Sequence, residues 1–164
     1  MNTTPQIVLA LYPNTRGIGY VCIEYPQKIL DSGVATVRPI LNSQLVKRIE
    51  KFIDFYKPVL IVIRNCDLSQ SGNVKRAKQL VDDIITHAKE KQIPTYHYSR
   101  EQVKDVFEQF GVQTKYEISQ KIIEWFPELK WRSPKIRKTW MDEDYHMGVF
   151  DAFSLAIAHR YLSE

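Results

Sequence analysis

Five consecutive apolar residues, Val59-Leu60-Ile61-Val62-Ile63, follow Pro58 and end at Arg64. A run with no polar face is expected of a strand covered on both sides. It is far too short to span a bilayer. The chain must therefore supply helices for two faces of a sheet, and the flanking sequence does so. Leu45, Ile49, Phe52, Ile53 and Tyr56 recur at helical spacing, predicting a helix capped by Asn42 and running to about Tyr56. Val74, Ala77, Leu80, Val81, Ile84, Ile85 and Ala88 form the apolar stripe of a longer helix, Ser71 to Lys91.

Three strand-like runs come first in the chain. Ile7 to Tyr12 stops at the turn signal Pro13-Asn14. Gly17 to Glu24 and Gly33 to Val37 are rich in β-branched and aromatic residues, with turns expected at Tyr25-Pro26 and Asp31-Ser32-Gly33. A further short strand is expected from Ile93 to Tyr98. Ser99 with Gln102 makes a capping box for a helix to about Phe110, closed by Gly111. Thr114 with Glu117 makes a second, for a helix ending near Phe126-Pro127. Lys130 to Thr139 reads as an irregular basic connection. Asp142 is expected to cap a last helix to about Leu162, with Glu143 and Asp144 set against its N-terminal dipole. Short links make the first three strands an antiparallel meander, and the later strand–helix–strand unit a right-handed parallel crossover. The expected fold is α/β, a single domain over residues 1–164, with a mixed five-stranded sheet and helices on both faces.

The length of 164 residues suits one domain with a substantial core, and 26% charged residues is ordinary for a globular chain. Cys22 and Cys66 each lie in or beside a strand-like run, which fits reduced thiols better than a disulfide framework. Met1 to Gln6 lacks the pattern of a secretory leader and no apolar stretch suits a membrane, so a cytoplasmic location without membrane partners is expected. A net charge of +4 mildly favours a polyanionic partner.

Three stretches, Tyr12-Pro13-Asn14 with Arg16 and Gly19-Tyr20, Lys57-Pro58 before Val59–Ile63, and Asp151-Ala152 with Ala156 and His159, together with the element order, resemble the RuvC-type Holliday-junction resolvases, a branch of the RNase H-like fold. Ile7 to Tyr20, through Tyr12-Pro13-Asn14, Arg16 and Gly19-Tyr20, resembles that family's first strand and turn, where an Asp-Pro-Gly precedes an Arg and a Gly-Tyr. Lys57-Pro58 leading into Val59–Ile63 resembles the strand that ends in the family's catalytic Glu. Asp151-Ala152 with Ala156 and His159 resembles its last helix, Asp-Ala-x-x-x-Ala-x-x-His. The resemblance implies a site in which several carboxylates hold two divalent cations for phosphodiester hydrolysis. It also implies pairing as a homodimer through the long second helix. This chain departs from that pattern: the corresponding positions are Tyr12, Arg64 and Gly148, and Asp151 alone keeps a carboxylate. One carboxylate does not hold a pair of Mg²⁺ ions, so no cofactor is expected unless the site has shifted.

Asp151 is the only formal charge between Gly148 and Ala158, on a helix apolar almost all round. A lone buried carboxylate needs a cation or a metal. Arg64 is the expected partner, with Tyr12 beside the pair. The alternative is an active Mg²⁺- or Mn²⁺-dependent endonuclease that combines Asp151 with Asp144, Glu143 or Asp67. Asp144 lies seven residues before Asp151, two helical turns away on the same face, so the two would be the metal ligands of a shifted site. Lys130, Trp131, Arg132, Lys135, Arg137 and Lys138 precede this helix without an intervening acid. They are candidates for phosphate contact and base stacking, against the plainer reading of a solvated loop whose tryptophans pack on the core. Lys75, Arg76 and Lys78 read as a solvated face. His87, His97, His146 and His159 show no metal-ligand spacing, and His146 stands out only for its place beside the acidic turn. A nucleic-acid-binding protein with a degenerate metal site leads. The nuclease and a purely oligomeric interaction module are the alternatives.

Overall fold

The computed structural model describes residues 6–65, 72–138 and 140–163. Strands β1 (Ile7–Asn14), β2 (Gly17–Glu24), β3 (Lys28–Ala35), β4 (Leu60–Arg64) and β5 (Thr95–Tyr98) form one mixed sheet in the order β3-β2-β1-β4-β5. β1–β2 and β2–β3 pair antiparallel, and β1–β4 and β4–β5 pair parallel. Helices α1 (Asn42–Tyr56) and α2 (Gly72–Glu90) connect β3 to β4 and β4 to β5. Then follow α3 (Arg100–Glu108), α4 (Lys115–Trp125), a 3-10 turn over Pro127–Arg132 and α5 (Met147–Leu162).

The apolar run is covered on both sides from Ile61 to Ile63, whereas Val59 precedes β4 and is exposed. Ile61 and Ile63 join Leu9 and Leu11 of β1 in a core with Leu45, Ile49 and Leu80 of α1 and α2. Val62 joins Val8, Ala10 and Tyr12 in the opposite core, with Val106 and Phe107 of α3, Ile118 of α4 and the inner residues of α5. Period-two alternation sorts the strand residues between these faces. α5 has no polar face because it lies between the sheet and α3–α4: every residue from Met147 to Ala156 is buried.

Both capping boxes form, with Ser99 accepting from the Gln102 backbone and Thr114 from that of Glu117. Three expectations are corrected. The turn at Asp31-Ser32-Gly33 is absent: these residues lie inside β3, and the turn is at Tyr25–Gln27. Asp31 is tolerated in the strand because the Tyr56 hydroxyl donates to it at 3.0 Å, and Gly33 gives room to the ring of its partner Tyr20. Asn42 does not cap α1. Leu41 is the capping residue, and the Asn42 amide instead donates to the Arg76 carbonyl at 3.1 Å, tying α1 to α2. Finally, α5 begins at Met147, not near Asp142. The Asp144 carboxylate accepts from the backbone N–H of Lys135 (3.1 Å) and of His146 (2.9 Å), which holds this stretch in a turn ahead of the helix. Among the described residues no helix is long and apolar enough to cross a membrane.

Candidate functional site

β1 and β4 run parallel, so Tyr12 and Arg64 emerge at the same edge of the sheet. The first turn of α5 crosses that edge at very short range: a side chain on Gly19 of β2 would collide with the backbone of Gly148. Between these elements lies a cleft of about 500 Å³, lined among others by Tyr12, Arg64, Lys115, Glu143 and Gly148. Asn14 shapes one wall. Its carboxamide oxygen accepts from the backbone N–H groups of Arg16 (2.9 Å) and Gly17 (3.0 Å), and Arg76 donates to the Asn14 backbone carbonyl at 2.8 Å. Arg76 therefore clasps the hairpin and does not belong to a merely solvated face.

Asp151 is 4% exposed and projects from the second turn of α5. The Lys115 ammonium, from the first residue of α4, lies 3.2 Å from Asp151 Oδ2 and 3.2 Å from Glu143 Oε2. One ammonium thus bridges two carboxylates. Burial pushes the Asp151 carboxyl up to about 6, and Lys115 offsets this only in part. For Lys115, burial pulls downward, but Asp151, Tyr12 and Glu143 together outweigh it and raise its pKa, so the ammonium keeps its proton. Burial, then Asp151, holds the Tyr12 phenol above its ordinary value, so it stays neutral. Arg64 lies over the Tyr12 ring, 4.6 Å from its centre, with Lys115 at 5.4 Å.

The expected Arg64–Asp151 pair is therefore replaced. The cation on Asp151 is Lys115, and Arg64 donates to the Pro13 carbonyl at 2.8 Å. The expected Asp144–Asp151 face does not form, since Asp144 precedes the helix and both its oxygens accept from backbone N–H groups. Glu143 does reach the cleft. Asp67 lies outside the described residues. Among the described residues no three His, Cys, Asp or Glu side chains converge to hold a metal ion. The donor set does not fit a divalent pair: the cleft presents an arginine, a neutral phenol and a glycine at Arg64, Tyr12 and Gly148, and a lysine nitrogen lies between the two carboxylates that do converge.

The basic segment leads to the same cleft, whose lining includes Arg137. Its tryptophans do not pack on the core: Trp131 is 70% exposed and Trp140 78%. Arg132 lies over the Trp131 ring at 4.5 Å, and Lys138 lies 5.3 Å from the centre of the Trp140 ring. Lys130 and Lys135 are exposed. His159 is structural, its Nδ1 2.7 Å from the Tyr98 hydroxyl between α5 and β5. Sequence reasoning missed Lys115, which sits among many lysines with no motif of its own. The available signal was general: a lone carboxylate on an apolar helix demands a cation, without saying which.

No protein-family model matches the sequence, and no curated protein matches it significantly. Solved structures do match. Thermus thermophilus RuvC in complex with a Holliday junction substrate superposes with a TM-score of 0.70 at 14% identity, over 96% of this chain and 94% of that one. A second Thermus thermophilus RuvC structure gives 0.70 at 16% identity, over 96% and 95%. The yeast mitochondrial Holliday junction resolvase Ydc2 gives 0.67 at 10%, over 96% and 79%. The chain has the RuvC-like form of the RNase H-like α/β fold.

Proposed function

We propose that this protein binds nucleic acid through the cleft and the basic segment beside it, without cleaving it. The observation that carries the reading is the Lys115 ammonium bridging Asp151 and Glu143, where the RuvC resemblance would put divalent cations. A fixed organic cation neutralises the buried carboxylate but activates no water. Lys130, Arg132, Lys135, Arg137 and Lys138 then supply phosphate contacts, with branched DNA the first ligand to try because Thermus thermophilus RuvC is solved on a Holliday junction. The buried free thiol of Cys22, pushed up to about 12 mainly by burial, suits a reducing cytoplasm.

Binding to a four-way junction is expected to weaken roughly 500-fold between about 50 and 200 mM salt, the slope of about −4.5 that five neutralised phosphates give. Electrophoresis of labelled junction strands after incubation with Mg²⁺ or Mn²⁺ is expected to show intact strands. Affinity insensitive to salt, or specific strand scission lost in Asp151→Asn, overturns the proposal.

The convergence of Asp151 and Glu143 also favours a second reading, a divalent-metal-dependent endonuclease in which a cation displaces Lys115. Scission in the same assay, abolished by Glu143→Gln as well, is the result that reading requires.

A further inference from the structure

We infer that the rim of the cleft carries a stacking track for unpaired nucleic-acid bases, built from Arg132, Trp131, His146, Tyr145 and Arg16. The inference rests on the nucleic-acid reading and adds which form of nucleic acid is preferred. The five side chains follow one another in space. Arg132 lies 4.5 Å from the centre of the Trp131 ring, and Trp131 meets His146 at 5.9 Å and 72°. His146 meets Tyr145 at 5.7 Å and 79°, and Arg16 lies 5.8 Å from the centre of the Tyr145 ring. The track thus runs from the 3-10 turn to the tip of the β1–β2 hairpin, with a guanidinium at each end.

Its rings are fixed but not buried. The Tyr145 hydroxyl donates to the Val34 carbonyl at 3.2 Å, which anchors that ring to β3. Arg132 covers one side of Trp131, yet the residue stays 70% exposed. An exposed indole in a stretch with five basic side chains and no acid from Lys130 to Lys138 matches a polyanion with aromatic rings better than an apolar peptide. In a continuous duplex the base faces are already stacked on their neighbours. Only an unpaired base, at a strand end, a branch point or in a single strand, can offer its face to Trp131 or Tyr145. Two hollows of about 500 and 600 Å³ share Arg16 and Tyr145 and leave room for the strand on either side.

The test follows tryptophan fluorescence while the protein is titrated with a single-stranded oligonucleotide, its matched duplex and an abasic single strand. The single strand is expected to quench the emission; the duplex and the abasic strand are not. Trp131→Ala is expected to weaken single-strand binding about tenfold, within the range known for one base–aromatic stack, and to weaken duplex binding much less. Tyr145→Ala, which removes the ring altogether, is expected to weaken single-strand binding to a similar extent. Equal affinity for all three ligands without quenching overturns the track and leaves the nucleic-acid reading standing. Quenching by an apolar peptide but by none of the oligonucleotides, or no binding to any nucleic acid, overturns both.

Discussion

Replacing Lys115 with methionine is expected to destabilise the protein by about 3 kcal/mol at pH 8, and by much less at pH 5. Methionine keeps the apolar stem of the side chain and removes the ammonium. Asp151 is then left as a carboxylate almost entirely out of water, facing Glu143 across the space the ammonium held. Breaking a buried pair from one side is among the more damaging changes available to a protein. The pH dependence follows from the Asp151 titration. Its folded-state value, about 6, lies above the ordinary 3.8, so the folded state binds the extra proton and this group's contribution to stability falls as pH rises from about 4 to 6. In the wild type the fall stops near 6, because Lys115 accepts the ion. In Lys115→Met the carboxyl keeps its proton to higher pH. The gap between the two proteins should widen by up to about 1.4 kcal/mol per pH unit above 6 until the variant's own carboxyl ionises. Urea unfolding at pH 5 and pH 8 checks this, and an equal loss at both would show that Lys115 is not the counter-ion of Asp151.

Gly19→Ala is expected to cost about 4 kcal/mol or to prevent folding altogether. A Cβ at this position would lie 2.0 Å from the Gly148 carbonyl oxygen and 2.4 Å from its carbon. The obstacle is backbone at the start of α5, so relief requires moving the helix that fills the centre of the molecule. Gly148→Ala makes the informative contrast. Its Cβ would meet Asn14 Nδ2 at 2.9 Å and Val34 Cγ2 at 3.3 Å, both side-chain atoms, and the expected loss is only about 1 kcal/mol. Thermal unfolding of the two variants side by side reads the difference. Similar losses would mean that α5 is not pressed onto β2. The same contact bears on the site, because Gly148, which lines the cleft, is committed to helix–strand packing.

Much of this arrangement was legible in the residues. The unbroken run from Val59 to Ile63 required cover on two faces, and the helical stripes before and after it named the elements that give it. Ser99 with Gln102 and Thr114 with Glu117 located two helix starts to the residue, since a capping box is a local hydrogen-bond pattern. Where the reading failed, a tertiary partner had overridden the local signal. Asp31, Ser32 and Gly33 look like a turn until Tyr56 and Tyr20 supply a partner and a neighbour. Asp142 looks like a cap until Asp144 ties itself to Lys135. In the candidate site, the need for a cation at Asp151 was legible but its source was not. Arg64 was the nearer guess from topology, yet the Pro13 carbonyl and the Tyr12 ring hold it, and Lys115 arrives from a helix distant in sequence.

On the proposed reading, the Lys115 ammonium takes the place of a divalent metal in the cleft. A calorimetric titration of Mn²⁺ into the wild-type protein, with Asp151→Asn titrated in parallel, tests it most directly. No saturable heat is expected from the cleft, and therefore the same trace for both proteins. Saturable Mn²⁺ binding by the wild type that disappears in Asp151→Asn would contradict it, and would make the second, catalytic reading the one to pursue.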